Sequence, residues 1–361
     1  MDIVAVELIR NLQKIDLENE YIIFVKEDED SATISDSKNF KVVPLKGGPY
    51  PYWEQVLLPR AAKENKIDLL HCTSNTAPLN IDIPLVITLH DIIYLEKWNF
   101  TKGSLYQRAG NLYRRWNVPP AVKKAAALIT VSEFECKRIR DYFALPESTV
   151  TTVYNGVGEH FSLIEDSILL SAVKNKYNLP DKYVFFLGNT DPKKNVEGVM
   201  RALSHLRRKG QLNFKLLMLD IDRQFLTDMA IRIGDKEILS HISFAGYVPN
   251  AELPAIYSMA QLFLYPSLRE SFGIPMLEAM ACGVPVITSN TSSMPEVAGD
   301  AALFIDPFNP EDIAEKIVAL INNPGLQKEL IAKGLSRKKE FTWRNNAFQT
   351  LQIYKRVLGK N

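Results

Sequence analysis

With 361 residues, 46% of them apolar and 24% charged, the chain has the composition of a folded protein with a sizeable core and the length of two α/β domains. Lys and Arg number 43 against 42 Asp and Glu, a net charge of +1, so no global field favours nucleic acid and any anion site must be local. Three widely spaced cysteines without a CxxC pair point away from a disulfide framework or a zinc site and fit a cytoplasmic location. No run approaches the roughly 20 apolar residues of a membrane span.

Ile3, Val4, Val6, Leu8, Ile9 and Leu12 recur at helical spacing, so a helix is expected first, where an α/β domain ordinarily opens on a strand and a glycine-bearing loop. The opening residues lack the layout of a secretory signal. Short β-branched and aromatic runs follow at Tyr21–Val25, Phe40–Val43, Asp68–His71, Leu85–Leu89, Ala127–Val131 and Val150–Tyr154, separated by helical patterns. That alternation predicts a parallel sheet covered by helices. Beyond a polar stretch, Phe161–Asp181, the pattern restarts with strands at Tyr183–Gly188, Phe214–Asp220, Ile242–Gly246, Leu262–Pro266, Val284–Ser289 and Ala301–Ile305, mostly apolar throughout as in sheets buried on both faces. The tail, Thr342–Leu358, sets Trp343, Ala347, Leu351, Tyr354 and Leu358 at spacings of three or four and predicts a closing amphipathic helix. The expected organisation is a domain over 1–160, a second over 161–340 and a final helix over 341–361.

The segment from Tyr265 to Met280 reads as strand, turn and helix, with Pro275 in the first helical turn, where no amide donor is needed. The free amides of Ser271, Phe272, Gly273 and Ile274 suit a phosphate, and Gly273 permits close approach of a ligand. Glu270 precedes the helix and Glu278 lies on its first turns, so both can face one crevice and serve a hydroxyl-rich ligand such as a sugar and a ribose. Alone, the first would read as a capping residue and the second as a solvated helix position. A second strand-turn-helix runs from Phe185 through Gly188 and Asn189 to Lys194 and Asn195. Tyr247 and Val248 follow the strand end at Gly246, and His90 and Asp91 end the strand Leu85–Leu89 at the edge where open α/β sheets bind ligands. Pro49–Gln55 and Tyr106–Arg115, rich in aromatics and arginines, suit either an acceptor-side or membrane-facing surface, or plain packing with a solvated arginine face.

The frame ESFGIPMLEAMACGVPVITSN, from Glu270 to Asn290, resembles the Glu-x7-Glu signature of the retaining GT-B glycosyltransferases that use nucleotide sugars (glycosyltransferase family 4, or "group 1"). The resemblance implies two Rossmann-like domains facing each other across a cleft, the second binding the donor, with a C-terminal helix crossing back to the first. It assigns Glu270 to the transferred sugar and Glu278 to the nucleotide ribose. Lys194 falls on the phosphate-binding lysine, which would neutralise the departing diphosphate without a metal. Gly188 and Asn189 belong to the same loop, and Asn189 stands where many relatives carry a phosphate-binding arginine. Tyr247 and Val248 fall on the loop that meets the base, His90 on the residue that contacts the sugar or reacting centre, and Asp91 on its support. No cofactor beyond the nucleotide-sugar donor is implied. The PYWEQVLLPRAAKENKIDLLHCTSNTAPL and LHDIIYLEKW runs are similar to bacterial mannosyltransferase-like enzymes of polysaccharide or O-antigen assembly. That likeness favours GDP-mannose as donor, a saccharide or lipid-linked saccharide as acceptor, and peripheral contact with the inner face of the membrane. The family's opening strand and glycine-rich loop have no counterpart, so a start lacking roughly 15 to 25 residues is expected; a well-packed sheet beginning with Tyr21–Val25 would reject this. The alternatives are a nucleotide-sugar epimerase-like enzyme and a non-catalytic sugar-binding subunit.

Overall fold

The computed structural model describes residues 3–27, 33, 34, 36–96 and 105–360. Lys97 and Trp98 of the LHDIIYLEKW run and the side chain of Tyr106 lie outside the described residues. The chain forms two compact units, Met1–Gly156 together with Trp343–Asn361, and Val157–Thr342.

In the first unit the opening helix, Ile3–Ile15, buries the stripe Leu8, Ile9 and Leu12 against Ala347 and Leu351 of the closing helix, Trp343–Val357, and against Phe40. The closing helix is held there by polar bonds too: Asn346 Nδ2 donates to the Tyr154 carbonyl at 2.8 Å, and the Tyr354 hydroxyl lies 2.6 Å from His71 Nδ1. Burial pushes His71 down to about 3, and the neighbouring His90 acts in the same direction. The ring is therefore neutral and held at both nitrogens, its Nε2 lying 2.8 Å from Thr88 Oγ1.

Two sheets stand where the sequence predicts one. β1 (Tyr21–Lys26) and β2 (Phe40–Leu45) form a two-stranded parallel sheet, with the rings of Tyr21 and Phe40 stacked at 4.3 Å. β3 (Leu70–Cys72), β4 (Leu85–Thr88), β5 (Ala127–Thr130) and β6 (Val150–Thr152) form a separate parallel sheet in sequential order. β4 and β5 are buried throughout, whereas every residue of the apolar run Tyr21–Val25 is only half-buried. The reason is a cavity of about 720 Å³ that has β1 along one wall and the β3 segment along the other.

The second unit is one six-stranded parallel sheet. Its strands are β7 (Tyr183–Phe186), β8 (Lys215–Met218), β9 (Ile242–Phe244), β10 (Leu262–Tyr265), β11 (Val286–Ser289) and β12 (Ala302–Ile305), in the order β12-β11-β10-β7-β8-β9. Strands apolar at every position are buried on both faces, β7, β10 and β11 completely, as a sheet covered by helices on each side requires. From β7 the chain winds outward through β8 and β9, then returns to place β10 on the other flank of β7. The winding direction thus reverses between β7 and β10, and open α/β sheets bind ligands outside the carboxyl ends of the strands at such a point.

The stretch Phe161–Asp181, expected to be a polar connection, carries a helix, Ser167–Lys176, capped by the Asp166 carboxylate at the amides of Ile168 and Leu169. Its pattern hides it from the sequence: Ile168 and Leu169 are exposed and only Val173 is buried, so no apolar stripe marks the helix.

Candidate active site

At the switch point the loops after β7 and β10 converge. After β7 the chain passes through Gly188, where any side chain would clash: a Cβ there would lie 2.5 Å from the Phe186 ring. Asn189 Oδ1 then accepts from the Asp191 amide at 2.9 Å, and Asp191 caps the one-turn helix Pro192–Lys194. The turn ends on Asn195 in the left-handed region (φ 58°). The buried Asn195 amide donates to the carbonyls of Pro266 (3.1 Å) and Pro307 (2.7 Å), and its oxygen accepts from the Gly198 amide. Lys194 is thereby fixed against the loops of two other strands.

Lys194 Nζ donates to Glu270 Oε1 at 2.6 Å and to the Tyr265 hydroxyl at 3.2 Å, and lies 5.0 Å from the centre of the Tyr265 ring. The two charged residues are 76 positions apart in sequence, joined because β7 and β10 are neighbours. Their side chains are only 16% and 10% exposed, a degree of desolvation at which a charged group needs its partner. The loop after β11 holds Glu270 from behind: its amide donates to Ser292 Oγ, and Ser293 Oγ donates to the carbonyls of Glu270 and Phe272.

The helix Ile274–Ala281 follows directly, with Gly273 at its N-cap in the left-handed region (φ 101°) and no side chain capping it. Glu270, the residue a helix end would recruit, is turned to Lys194 instead. Glu278 is half-buried, and Oε2 accepts from the Tyr257 hydroxyl at 3.0 Å. Burial pushes its carboxyl up to about 7, against the opposing pull of that hydrogen bond. Packed rings link the two glutamates: Tyr257 lies 5.3 Å from Phe263, and Phe263 5.7 Å from Tyr265. Burial, with Glu270 and Glu278 nearby, raises the Tyr265 phenol well above its ordinary range, so it stays a neutral donor. Its role lay outside the sequence reading, since a tyrosine ending a buried strand looks like core.

Tyr247 and Val248 follow β9, at the sheet edge. Tyr247 is 79% exposed and Val248 is buried; among the described residues no hydrogen bond links them to the Lys194–Glu270 cluster. In the first unit, His90 and Asp91 follow β4 at its carboxyl end. His90 Nε2 donates to the Thr73 carbonyl at 2.9 Å, which sets the tautomer, and the His90 amide donates to Asn75 Oδ1. Asp91 Oδ1 accepts from the Ile93 amide. Nearby, the 2%-exposed Glu54 on the π-helix Trp53–Leu57 accepts from the hydroxyls of Tyr50, Thr76 and Tyr113 and from Gln55 Nε2. The Pro49–Gln55 and Tyr106–Arg115 runs therefore meet through a buried carboxylate, while Tyr52, Leu112 and Trp116 remain exposed.

Two parallel α/β units, one with an ion pair beside an uncapped helix end at its switch point, have the architecture of GT-B glycosyltransferases. The structure of WaaG, a glycosyltransferase involved in lipopolysaccharide biosynthesis, superposes with a TM-score of 0.72 at 16% identity over 97% of this chain and 94% of that one. A glycosyltransferase from Rickettsia africae gives 0.73 at 19% identity over 98% and 95%. Residues 171–337 match the family model "Glycosyl transferases group 1" and residues 1–160 that of "Glycosyltransferase Family 4". The "O-antigen chain mannosyltransferase B" of Escherichia coli is 31% identical over 274 residues, 75% of this chain and 70% of that protein. The "Serotype-specific mannosyltransferase WbdA" of Escherichia coli is 29% identical over 65% of this chain, which matches only 29% of that longer protein. The chain belongs to the group 1, family 4 type of glycosyltransferases. Among the described residues no helix is long and apolar enough to cross a membrane, and no three His, Cys, Asp or Glu side chains are grouped to hold a metal ion.

Proposed function

We propose that the protein is a retaining hexosyltransferase that moves mannose from GDP-mannose to a hydroxyl of a glycan or lipid-linked glycan in O-antigen or related lipopolysaccharide synthesis, working peripherally at the cytoplasmic face of the membrane. The observation that carries the reading is the Lys194–Glu270 pair at the switch point beside the uncapped end of the Ile274–Ala281 helix. Cation, amides and helix dipole concentrate positive potential where a diphosphate would lie, and two carboxylates border the same place. When a donor enters, Lys194 turns to the phosphate oxygens and stabilises the charge that builds as the glycosidic bond breaks. Glu270, released, accepts from hydroxyls of the transferred sugar, and Glu278 accepts from the ribose.

Residues 161–340 bind the donor in this reading and residues 1–160 the acceptor, with His90 near the reacting carbon and Asp91 in support. Gly188, Asn189, Ser271, Phe272, Gly273 and Ile274 line the diphosphate, and Tyr247 and Val248 border the base. The diphosphate leaves with the electron pair of the glycosidic bond and the acceptor hydroxyl attacks on the same face of the sugar, passing its proton to the departing phosphate oxygen, which retains configuration, and no metal is invoked. The Escherichia coli mannosyltransferase relatives support the sugar, and the role of the first of them in O-antigen chains, with that of the structurally similar WaaG in lipopolysaccharide biosynthesis, supports the pathway class.

The test is calorimetry with GDP-, UDP- and ADP-sugars in the presence of a chelator, on the wild type and on Lys194→Ala and Glu278→Ala. Selective binding of GDP-mannose, lost in both variants, is expected, followed by transfer to a mannoside acceptor with the α-anomer kept by NMR. Binding of none of the donors would sink the reading, and conversion of the donor without an acceptor would turn it toward an epimerase-like enzyme.

A further inference from the structure

We propose that Glu54, a buried carboxylate that no step of the transfer uses, is a positioning residue for His90. It holds a strained turn at Asn75, and that turn fixes both the backbone and the tautomer of His90. The inference rests on the reading of His90 near the reacting carbon.

The turn lies directly after β3. The Thr76 amide donates to the Ser74 carbonyl at 2.8 Å, closing a three-residue turn on Asn75, which sits in the left-handed region (φ 66°). Turns of this hand are rare and strained, and they persist where their surroundings over-determine them. One side of the turn grips the end of β4. The Asn75 amide donates to the Thr88 carbonyl at 3.1 Å, Asn75 Oδ1 accepts from the His90 amide at 2.7 Å, and the Thr73 carbonyl accepts from His90 Nε2 at 2.9 Å. A carbonyl can only accept, so the last of these bonds keeps the proton of the neutral ring on Nε2.

Glu54 holds the turn from the other side. Thr76 Oγ1 donates to Glu54 Oε1 at 2.6 Å, although the two residues are 22 positions apart in sequence. The Tyr50 hydroxyl donates to the same oxygen at 2.8 Å, and the Tyr113 hydroxyl and Gln55 Nε2 donate to Oε2. Gln55 extends the grip along the chain: its Nε2 also donates to the Ala77 carbonyl, and its Oε1 accepts from the Leu79 amide. Four donors match the lone pairs of a carboxylate. A packing role would be met by an apolar side chain without the cost of desolvating a charge, whereas an acceptor of four hydrogen bonds gives each donor a fixed direction. Glu54 is carried by the π-helix Trp53–Leu57, a geometry that recurs at functional sites.

The test is nitrogen NMR of the full chain labelled at its 5 histidines, with the His90 signals assigned by their loss in His90→Gln. Spectra are taken at about pH 8.5, above the ordinary histidine range. The wild type should show the Nε2–H tautomer of His90 alone. Glu54→Gln and Thr76→Val should each give a mixture of the two neutral tautomers, while Thr76→Ser, which keeps the hydroxyl, should match the wild type. Ile9→Val thins the core under the opening helix without touching the turn, and it should match the wild type too. In transfer from GDP-mannose to a mannoside, Glu54→Gln and Thr76→Val should lose between about tenfold and about a hundredfold in kcat, with the donor KM within about twofold of the wild type. A wild-type tautomer in both of those variants would overturn the proposal. So would the same mixture in Ile9→Val, or a changed tautomer with kcat unaltered. If the tautomer moves as expected while the wild type transfers no sugar, the hold of Glu54 on His90 stands and the sugar-transfer reading fails.

Discussion

Replacing Glu278 with glutamine removes a carboxyl that the fold holds protonated up to about pH 7. Its ordinary value is 4.5; burial raises it, and the Tyr257 hydroxyl brings it only part of the way back. The native state therefore binds this proton more tightly than the unfolded chain, so the contribution of the carboxyl to stability is intact below about pH 4.5 and is lost as pH climbs through about 7. At about 1.4 kcal/mol for each pH unit crossed, the loss reaches about 2 kcal/mol at about pH 6 and about 3 kcal/mol above about pH 7. Glutamine does not titrate, so the difference between wild type and Glu278→Gln should swing toward the variant by about 2 to 3 kcal/mol between about pH 5 and about pH 8. Guanidinium unfolding measures it, followed by circular dichroism, because none of the 4 tryptophans lies in Val157–Thr342 and fluorescence would report the other unit. A difference that does not move with pH would refute the buried, proton-holding carboxyl. Under the proposed reading, ribose hydroxyls donate to the ionised form, so nucleotide affinity should rise with pH in the wild type and not in the variant.

Lys194→Met strands Glu270, 8% exposed, without its cation. A loss of about 3 kcal/mol is expected, with most of it restored by adding Glu270→Gln, as read in a double-mutant denaturation cycle. Gly273→Ala puts a Cβ 2.8 Å from Met276 Cε on a backbone at φ 101°; a cost of about 1 to 2 kcal/mol in thermal melts should follow. Glu54→Ala leaves three hydroxyls without their acceptor and should cost about 3 kcal/mol or more, whereas Glu54→Gln keeps an acceptor and should cost less. Fluorescence of the adjacent Trp53 reports both.

Strand positions were legible because each strand is an apolar run between turn residues, but the carboxyl ends of β4 to β10 come earlier than the apolar runs suggest. The run Tyr183–Gly188 stops pairing at Phe186 because Asn189 and Asp191 bend the chain with their own side chains, a local competition that composition does not show. Lys194, Glu270 and Glu278 stood out from strand-turn-helix motifs, yet their mutual arrangement depends on β7 lying beside β10. Tyr265 and Tyr257 could not be told from core by residue type. The separation of β1 and β2 from β3 to β6 did not show in the alternation of runs, and the helix Ser167–Lys176 was missed because its exposed side is as apolar as its buried one.

The closing helix bears on the order in which the chain can fold during synthesis. Residues 343–361 complete a unit that otherwise ends at Gly156, while Val157–Thr342 forms a continuous module between the two parts. Synthesis runs from the N-terminus, and a contiguous module can fold as soon as it has left the ribosome. The second unit is thus the first able to finish. The opening helix must wait until the chain beyond Val157–Thr342 has been translated before Leu8, Ile9 and Leu12 gain the cover of Ala347 and Leu351. A nonsense mutation just ahead of Trp343 would spare the module made in the middle and leave the one made first without its closing helix.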